Sequence, residues 1–236
     1  MNPLKDKPPI NPDIDPEGGK RLLEQGAGAL GISLSALQLE QFWDYLLLLQ
    51  KWNRVINLTG LRSCQEIIVK HFLDSLTPLP YLPEEAEILD LGSGAGFPGL
   101  PIAICRPNQS VTLIDASTKK VNFLKEAVRH LNLRNTRVIQ GYLGKEPLPL
   151  LESNQFDIII ARAIGKLKEL LGGVSGYLPL GGKFMLMKGR QGLKEIADLE
   201  VEIQKKGFQI ETPIFLNLPY LDQERILIFL TKLKKN

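Results

Sequence analysis

Residues 90–99 form a glycine-rich segment suited to holding a small charged ligand. An apolar run at 87–89 precedes the segment and another at 100–105 follows it, which predicts a turn between a strand and a helix. Glycines in such a turn allow positive φ angles and let a ligand lie against the backbone. The free N–H groups at the start of the next helix favour an anionic group.

The second group with chemical potential is the carboxylate of Asp115, which ends the next strand-like run at 111–114. A carboxylate at the end of a neighbouring strand is where nucleotide-binding sheets hold a ribose. Segment 26–31 repeats the glycine spacing of 94–99, but no strand precedes it, so we interpret it as a loose helix end. The loop and Asp115 together predict a site for a nucleoside-containing cofactor.

Two classes of cofactor fit this pattern: nicotinamide or flavin dinucleotides, and S-adenosylmethionine. Asp90 stands just before Gly92 and Gly94, where an acid can meet the ammonium group of the methyl donor. The glycine spacing is also tighter than a pyrophosphate turn requires. The last predicted strand, at 225–231, is expected to run opposite to the others, as it does in methyltransferases of this architecture. These three features favour S-adenosylmethionine, and the dinucleotide remains the alternative.

Motifs that the chain lacks exclude some classes of methyl acceptor. Residues 161–164, after the fourth predicted strand, do not show the Asn/Asp-Pro-Pro-aromatic pattern usual for methylation of exocyclic amines. Methylation at pyrimidine C5 needs a cysteine nucleophile, and Cys64 and Cys105 are both assigned to helices. An endocyclic ring nitrogen already has a lone pair and needs no general base, so alignment could supply most of the acceleration. This reasoning leaves the acceptor itself unidentified.

Alternating strand and helix patterns are expected to position these groups. Strand-like runs occur at 87–91, 110–115, 136–140, 156–161, 182–187, 208–216 and 225–231. Helical patterns separate the first six runs, whereas a short turn with Asn217 and Pro219 joins the last two. That turn predicts an antiparallel pairing with a reversed edge strand. The fold class is therefore α/β, a doubly wound, seven-stranded, mostly parallel Rossmann-like sheet of the class I methyltransferase type.

The chain is expected to divide into three regions. Residues 1–16 contain five prolines among polar residues and are expected to form a disordered tail. Residues 17–83 form a helical N-terminal cap, and residues 84–236 form the cofactor-binding domain. Within the cap, Ser35 with Gln38 and Ser63 with Glu66 match the capping-box pattern at two helix starts, and Pro78 and Pro80 end the second of these helices.

Composition excludes several classes of protein. The chain has 236 residues, of which 44% are hydrophobic, and its mean hydropathy is −0.03, so it can bury a full core. No apolar run is long enough to span a bilayer, and the N-terminus lacks the apolar core of a secretory signal. Two cysteines and two histidines make no plausible zinc site. We therefore expect a cytoplasmic protein without a metal or a membrane partner.

Charge is unevenly distributed along the chain. Net charge is +3, yet residues 117–145 carry seven basic side chains and one acidic side chain. Such a local excess can contact the phosphates of a nucleic acid. It can equally be a solvated helix face, and charge alone does not decide between the two interpretations.

Several separated motifs resemble the ribosomal RNA small subunit methyltransferase G family, also called glucose-inhibited division protein B. In chain order they are WNRVINLT at 52–59, HFLDSL at 71–76, the glycine segment, IDASTKKVNFL at 114–124, ARA at 161–163 and KG at 188–189. The resemblance covers the chain from about residue 20 to the C-terminus. It implies transfer of a methyl group from S-adenosylmethionine to N7 of a guanine in 16S ribosomal RNA, as naked RNA or as a precursor of the small subunit.

The resemblance also implies which residues contact the cofactor. These residues are Gly92, Phe97, Asp115, Ala116, Ser117, Leu143, Gly144 and Arg162. The family usually has an arginine, a small residue and a glutamate where this chain has Tyr142, Leu143 and Gly144. The missing acid should accept a hydrogen bond from the adenine amino group, so either Glu146 or backbone groups must replace it.

Four residues are predicted to act on the acceptor side: Asn57, His71, Arg162 and Lys188. Arg162 and Lys188 follow strands at their carboxyl ends, where ligands bind in such sheets. Asn57, with Thr59 beside it, could instead cap or turn the chain, and His71 could be a packing histidine. The guanine is expected to enter splayed out of its RNA. The predicted phosphate contacts are Lys119, Lys120, Arg129 and Lys188.

Two rival functions remain open from the sequence. One is a different enzyme, either a small-molecule methyltransferase or a nicotinamide-dependent oxidoreductase. The other is a non-catalytic RNA-binding module with a degenerate pocket, suggested by the unusual segment 142–144. A thermal shift with S-adenosylhomocysteine but not with NAD would argue against both the oxidoreductase and the degenerate pocket.

Overall fold

The computed structural model of the protein describes residues 13–143, 148, 151, 155–163, 165 and 167–233. The N-terminal part, up to residue 81, is helical. Its elements are α1 (Pro16–Ala29), α2 (Ala36–Asn53), α3 (Cys64–Ile67), a π-helix (Ile68–Leu73), α4 (Asp74–Leu76) and a 3₁₀ turn (Leu79–Tyr81). The elements from α3 to α4 follow one another without a break, so they form one helical segment with a widened middle.

Local hydrogen bonds explain where these helices begin. Ser35 and Gln38 make the complete reciprocal capping box that the sequence predicts at the start of α2. The Ser63 hydroxyl accepts a hydrogen bond from the Glu66 N–H and caps α3. The Glu66 carboxylate, however, pairs with Lys70 at 2.7 Å and does not close the second box.

The predicted tail and cap are described only in part. Residues 1–12 lie outside the described residues, and the Asp13 carboxylate accepts a hydrogen bond from the Cys64 N–H at 2.7 Å. Helix α1 then begins at Pro16, capped by Asp15. The division of the chain at 16 and at 83 stays a prediction.

The chain from residue 88 to residue 232 contains an eight-stranded sheet with helices on both faces. The strands are β1 (Ile88–Leu91), β2 (Val111–Asp115), β3 (Thr136–Gln140), β4 (Ile158–Arg162), β5 (Lys183–Lys188), β6 (Phe208–Ile210), β7 (Ile214–Asn217) and β8 (Glu224–Lys232). The helices are α5 (Gly99–Cys105), α6 (Thr118–His130), α7 (Leu167–Ser175) and α8 (Gln191–Lys205). Strand order is β3-β2-β1-β4-β5-β8-β6, and β7 also pairs with β8.

The end of the sheet differs in two ways from the prediction. The single strand expected at 208–216 is interrupted, and its two parts, β6 and β7, each pair with one half of β8. Pro213, just before β7, has no N–H to donate to a ladder, which fits a break there. Strand β8 is antiparallel to β5 as predicted, but β6 and β7 cover its other side, so the reversed strand is not the edge.

Two hydrophobic clusters occupy the two faces of the sheet, as the alternation of side chains along a strand requires. Ile88 belongs to the cluster that also contains Phe42, Phe72 and Leu100, whereas Leu89 belongs to the cluster with α7 and α8. The N-terminal helices therefore share one core with α5, α6 and one face of the sheet. This packing holds the helical segment over the carboxyl ends of β1 and β4.

Candidate active site

The glycine loop, residues 92–99, joins β1 to α5. Gly92 and Gly94 have φ angles of +73° and +60°, which side-chain-bearing residues rarely adopt. A Cβ added to Gly92 would meet nothing within 4 Å, and one added to Gly94 would meet only the Gly92 carbonyl at 3.7 Å. A Cβ on Gly96 would instead collide with the Tyr45 hydroxyl at 2.7 Å. The first two glycines thus leave room for a ligand, and Gly96 allows close packing.

Asp115 closes the same site from the end of β2. Its two carboxylate oxygens accept hydrogen bonds from the Gly94 N–H at 2.9 Å and the Ser117 N–H at 2.8 Å. Lys120 Nζ lies 4.0 Å from Oδ2. Each carboxylate oxygen can accept a second bond, so Asp115 can still receive ribose hydroxyls. Ala116 is exposed beside it, and Ser117 precedes the first residue of α6.

Asp90 and Arg162 lie at the carboxyl ends of the adjacent strands β1 and β4. Asp90 is fully buried, and its Oδ2 accepts a hydrogen bond from the Gly99 N–H at 3.0 Å. Burial raises the pKa of this carboxyl to about 7. Its Oδ1 and the Arg162 Nη1 are buried without a hydrogen-bond partner among the described residues. One unpaired acceptor and one unpaired donor fit the ammonium and carboxylate of an amino-acid group.

The rest of the Arg162 guanidinium is held by three residues of the helical segment. Nε pairs with Asp74 Oδ2 at 3.0 Å, and Nη2 donates to the Lys70 carbonyl at 2.8 Å. Nη2 also lies 3.1 Å from His71 Nδ1. Arg225 of β8 binds the same Asp74 carboxylate through its Nε and Nη2. We call Asp74, Arg162 and Arg225 the arginine cluster, which joins the helical segment to β4 and β8.

The π-helix explains how two consecutive residues both reach Arg162. A π-helical turn is wider than an α-helical turn, and such turns occur often at functional sites. The Lys70 carbonyl can therefore accept from Arg162 while the His71 ring lies next to the same guanidinium. The Ser75 hydroxyl donates to the His71 carbonyl at 2.6 Å. The helical segment thus presents a backbone acceptor and an imidazole to one arginine.

His71 lies between the helical segment and the glycine loop. Its ring stacks on Phe97 with centroids 4.4 Å apart, and its Nε2 lies 2.7 Å from Thr59 Oγ1. Burial and the Arg162 charge lower the pKa of His71 to about 3. A histidine with this pKa is neutral at physiological pH and is a weak base. Its position suits orientation of neighbours and not proton transfer.

The other two residues predicted on the acceptor side are less closely involved. Asn57 is exposed in the segment after α2. Lys188 lies at the end of β5, next to Arg162 in the sheet, but its ammonium pairs with Glu195 at 2.8 Å. The structure therefore brings His71 and Arg162 into contact, whereas Asn57 and Lys188 are not seen in contact with them.

The adenine side of the site is described only to residue 143. Leu143 is fully buried in the second hydrophobic cluster, and Tyr142 is 55% exposed. Gly144 and Glu146 lie outside the described residues. The predicted adenine contacts therefore stay predictions. Phe97 likewise turns its ring toward Tyr45, Phe72 and His71 in the helical cap.

Sequence reasoning assigns no individual role to three residues of the site, although Asp74 belongs to the HFLDSL motif. Asp74 and Arg225 form the arginine cluster with Arg162, and Tyr45 donates a hydrogen bond to the Ala95 carbonyl. Tyr45 is fully buried on the apolar face of α2, and buried tyrosines usually have a partner for the hydroxyl. The sequence signal for Asp74 is similar. It is an aspartate within an apolar helical stretch, and aspartate is rarely buried unless it is paired.

The predicted phosphate contacts differ in their pairing. Lys119 is exposed at the start of α6. Lys120 lies near Asp115, and Arg129 pairs with Glu126 at 3.2 Å.

Within the described part of the chain there is no group of three or more histidine, cysteine or acidic side chains that could hold a metal ion. The same part contains no helix that could cross a membrane.

Comparison with known proteins decides the family. The model of the GidB family, described as rRNA small subunit methyltransferase G, matches residues 38–221. The chain belongs to this family. The protein of that name from Lachnoclostridium phytofermentans is 36% identical over 89% of this chain and 88% of its own length. The one from Neisseria meningitidis serogroup A is 37% identical over 90% of this chain and 98% of its own length.

Solved structures with the same fold are more distant. A SAM-dependent methyltransferase from Aquifex aeolicus has a TM-score of 0.57 and 15% identity, covering 78% of this chain and 98% of its own. A precorrin-6y C5,15-methyltransferase from Geobacter metallireducens has a TM-score of 0.52 and 16% identity, covering 75% and 93%. At these identities they establish the fold alone. The predicted family, the Rossmann-like fold and the S-adenosylmethionine-dependent methyltransferase class are confirmed.

Proposed function

We propose that this member of the GidB family transfers a methyl group from S-adenosylmethionine to N7 of a guanine in 16S ribosomal RNA. The structural observation that carries the cofactor part of the proposal is that Asp90 Oδ1 and Arg162 Nη1, at the carboxyl ends of adjacent strands, are buried without a partner among the described residues. The acceptor part is supported by the match to the GidB family. Asp90 and Arg162 would hold the amino-acid end of the cofactor, and Asp115 would hold its ribose. Gly92 and Gly94 leave space between these groups.

S-adenosylmethionine supplies a methyl group on a positively charged sulfur. A guanine N7 presents a lone pair and loses no proton on alkylation, so the protein has only to align the two groups and exclude water. The neutral His71 agrees with this requirement, since no general base is needed. Arg162, held by Asp74 and Lys70, would keep the cofactor and the acceptor pocket in register.

An RNA partner is supported by the exposed basic side chains of α6 and the residues after it. Lys119, Lys125, Arg134 and Arg137 are all exposed. Such a surface gives affinity for phosphates without sequence specificity. The 16S RNA, as naked RNA or within an assembling small subunit, is the substrate suggested by the names of the relatives. The corresponding location of the protein would be the cytoplasm, where small subunits are assembled.

The test is transfer of labelled methyl groups to unmodified 16S RNA and to small-subunit precursor particles. We expect incorporation at guanine N7, identified by cleavage and mass analysis of the RNA. Calorimetry should show binding of S-adenosylhomocysteine and no binding of NAD. Binding of S-adenosylhomocysteine without incorporation at N7 in either substrate would reject the guanine assignment and leave a methyltransferase with another acceptor.

A further inference from the structure

The hydrogen bonds around His71 have only one consistent direction. A guanidinium is always a donor, so Arg162 Nη2 must donate to His71 Nδ1, which lies 3.1 Å away. The proton of the neutral imidazole is then on Nε2, and Nε2 donates to Thr59 Oγ1 at 2.7 Å. Arg162 therefore decides, through His71, that the Thr59 oxygen is used as an acceptor.

The Thr59 hydroxyl also accepts a second hydrogen bond. The Leu61 N–H donates to Oγ1 at 3.1 Å. A hydroxyl has two acceptor lone pairs and one proton, so both lone pairs of Thr59 are occupied. No hydrogen bond given by the Thr59 proton occurs among the described residues. The hydroxyl is thus set as a donor that still lacks an acceptor.

The backbone of Thr59 is held as firmly as its side chain. Asn53, the last residue of α2, accepts hydrogen bonds from the N–H groups of Leu58 and Thr59 through its Oδ1. Its Nδ2 donates to the Thr59 carbonyl at 2.9 Å. Neighbouring Asn57 and Gly60 are exposed, whereas Thr59 is half-buried. The loop thus holds one hydroxyl in a fixed place next to His71, which stacks on the cofactor loop at Phe97.

We propose that the Thr59 hydroxyl reads the target base by donating a hydrogen bond to O6 of the guanine. This inference rests on the proposed function and makes Thr59 a specificity-determining residue. Guanine presents two acceptors, N7 and O6, on one edge, whereas adenine presents N7 beside an N6 amino donor. A donor held beside His71, which contacts both Arg162 and Phe97, would favour guanine and oppose adenine. Arg162 and His71 are positioning residues for this donor.

The test compares three bases at the target position in reconstituted small-subunit particles: guanosine, inosine and 2-aminopurine riboside. Guanosine and inosine carry O6, and 2-aminopurine lacks it. Single-turnover methyl transfer is measured for the wild type, Thr59→Val, which removes the donor, and Thr59→Ser, which keeps it. Each variant is compared with the wild type on the same base, so differences in the reactivity of N7 between bases cancel.

We expect Thr59→Val to slow transfer to guanosine and inosine by about tenfold or more, with no matching loss on 2-aminopurine. Thr59→Ser should restore most of the guanosine rate. An equal loss on all three bases, or no loss on any, would overturn the inference. Calorimetry with S-adenosylhomocysteine checks that each variant is folded, and Thr59→Ala serves if Thr59→Val is not. No transfer by the wild type to guanosine would instead reject the proposed function itself.

Discussion

The glycine loop and the arginine cluster lie at the same edge of the sheet but are built in opposite ways. The loop is made by residues close in sequence, and its main partner, Asp115, ends the next strand along the chain. The arginine cluster joins Asp74, Arg162 and Arg225, and the first and the last differ by 151 in residue number. The glycine loop is therefore set by local sequence, whereas the arginine cluster, including the Arg162 proposed to bind the cofactor, depends on packing of the helical cap onto the sheet.

The largest effect that separates the two regions should come from Asp74→Ala. Removing this buried carboxylate leaves Arg162 and Arg225 without their shared counter-charge, and breaking such a pair costs about 3–5 kcal/mol of unfolding free energy. Urea unfolding followed by circular dichroism measures it. Arg129→Ala, in an exposed pair with Glu126, is the matched control and should change stability little. Equal effects of the two substitutions would contradict the role of the cluster.

A smaller effect is expected on the cofactor side. Asp115→Ala removes the acceptor for the Gly94 and Ser117 N–H groups and for the ribose. S-adenosylhomocysteine should then bind about 1–3 kcal/mol more weakly by calorimetry, the usual penalty for leaving buried polar groups unpaired. Asp115→Asn keeps one acceptor oxygen and should lose less. Wild-type affinity in Asp115→Ala would remove this residue from the site.

The raised pKa of Asp90 gives the site a pH dependence. Only the ionised carboxylate attracts an ammonium group, and with a pKa of about 7 its ionised fraction rises about tenfold from pH 6 to pH 8. S-adenosylhomocysteine affinity should rise by the same factor over this range. The free protein should behave oppositely, because a folded-state pKa above the unfolded value makes Asp90 reduce stability as pH rises from about 4 to about 7. Asp90→Asn should flatten both profiles, and a pH-independent affinity in the wild type would contradict the contact.

The smallest effect is expected on the RNA surface. Lys119 is exposed, whereas Lys120 lies 4.0 Å from Asp115. Lys119→Ala should reduce the slope of log affinity for RNA against log salt by about 0.7 to 0.9 if it contacts one phosphate. Affinity for S-adenosylhomocysteine should not change. Filter binding at several salt concentrations measures the slope, and an unchanged slope would return Lys119 to the solvated face of α6.

Secondary structure and the cofactor loop are largely predictable from the sequence because their signals are local. Ser35 and Gln38 form a capping box that marks the start of α2. The strands β1 to β5 coincide with short runs predicted as strands. The sequence does not predict the split between β6 and β7, because Pro213 lies inside a run that otherwise has the composition of a strand. The sequence predicts that the last strand, β8, is antiparallel. It does not predict that β6 and β7 both pair along one side of β8.

The contacts between the helical segment and Arg162 could be predicted only as a set of residue types. His71 and Arg162 are suggested by a family resemblance and by position at a strand end. Their contact through a π-helical turn, and the resulting neutral state of His71, need the packing of the cap. The pairing of Asp74 with Arg162 and Arg225 has no short-range signal, because the partners of this buried ion pair are distant in sequence.

The sequence by itself determined the periodic strands and helices, the glycine turn and the acid that ends β2, because backbone preferences and apolar periodicity act over a few residues. Only the tertiary structure decided which polar groups are buried together, which of them lack a partner, and in which direction the hydrogen bonds from Arg162 to Thr59 run. Burial removes water as an alternative partner, so a buried group takes its charge and its hydrogen-bonding role from neighbours that the fold supplies.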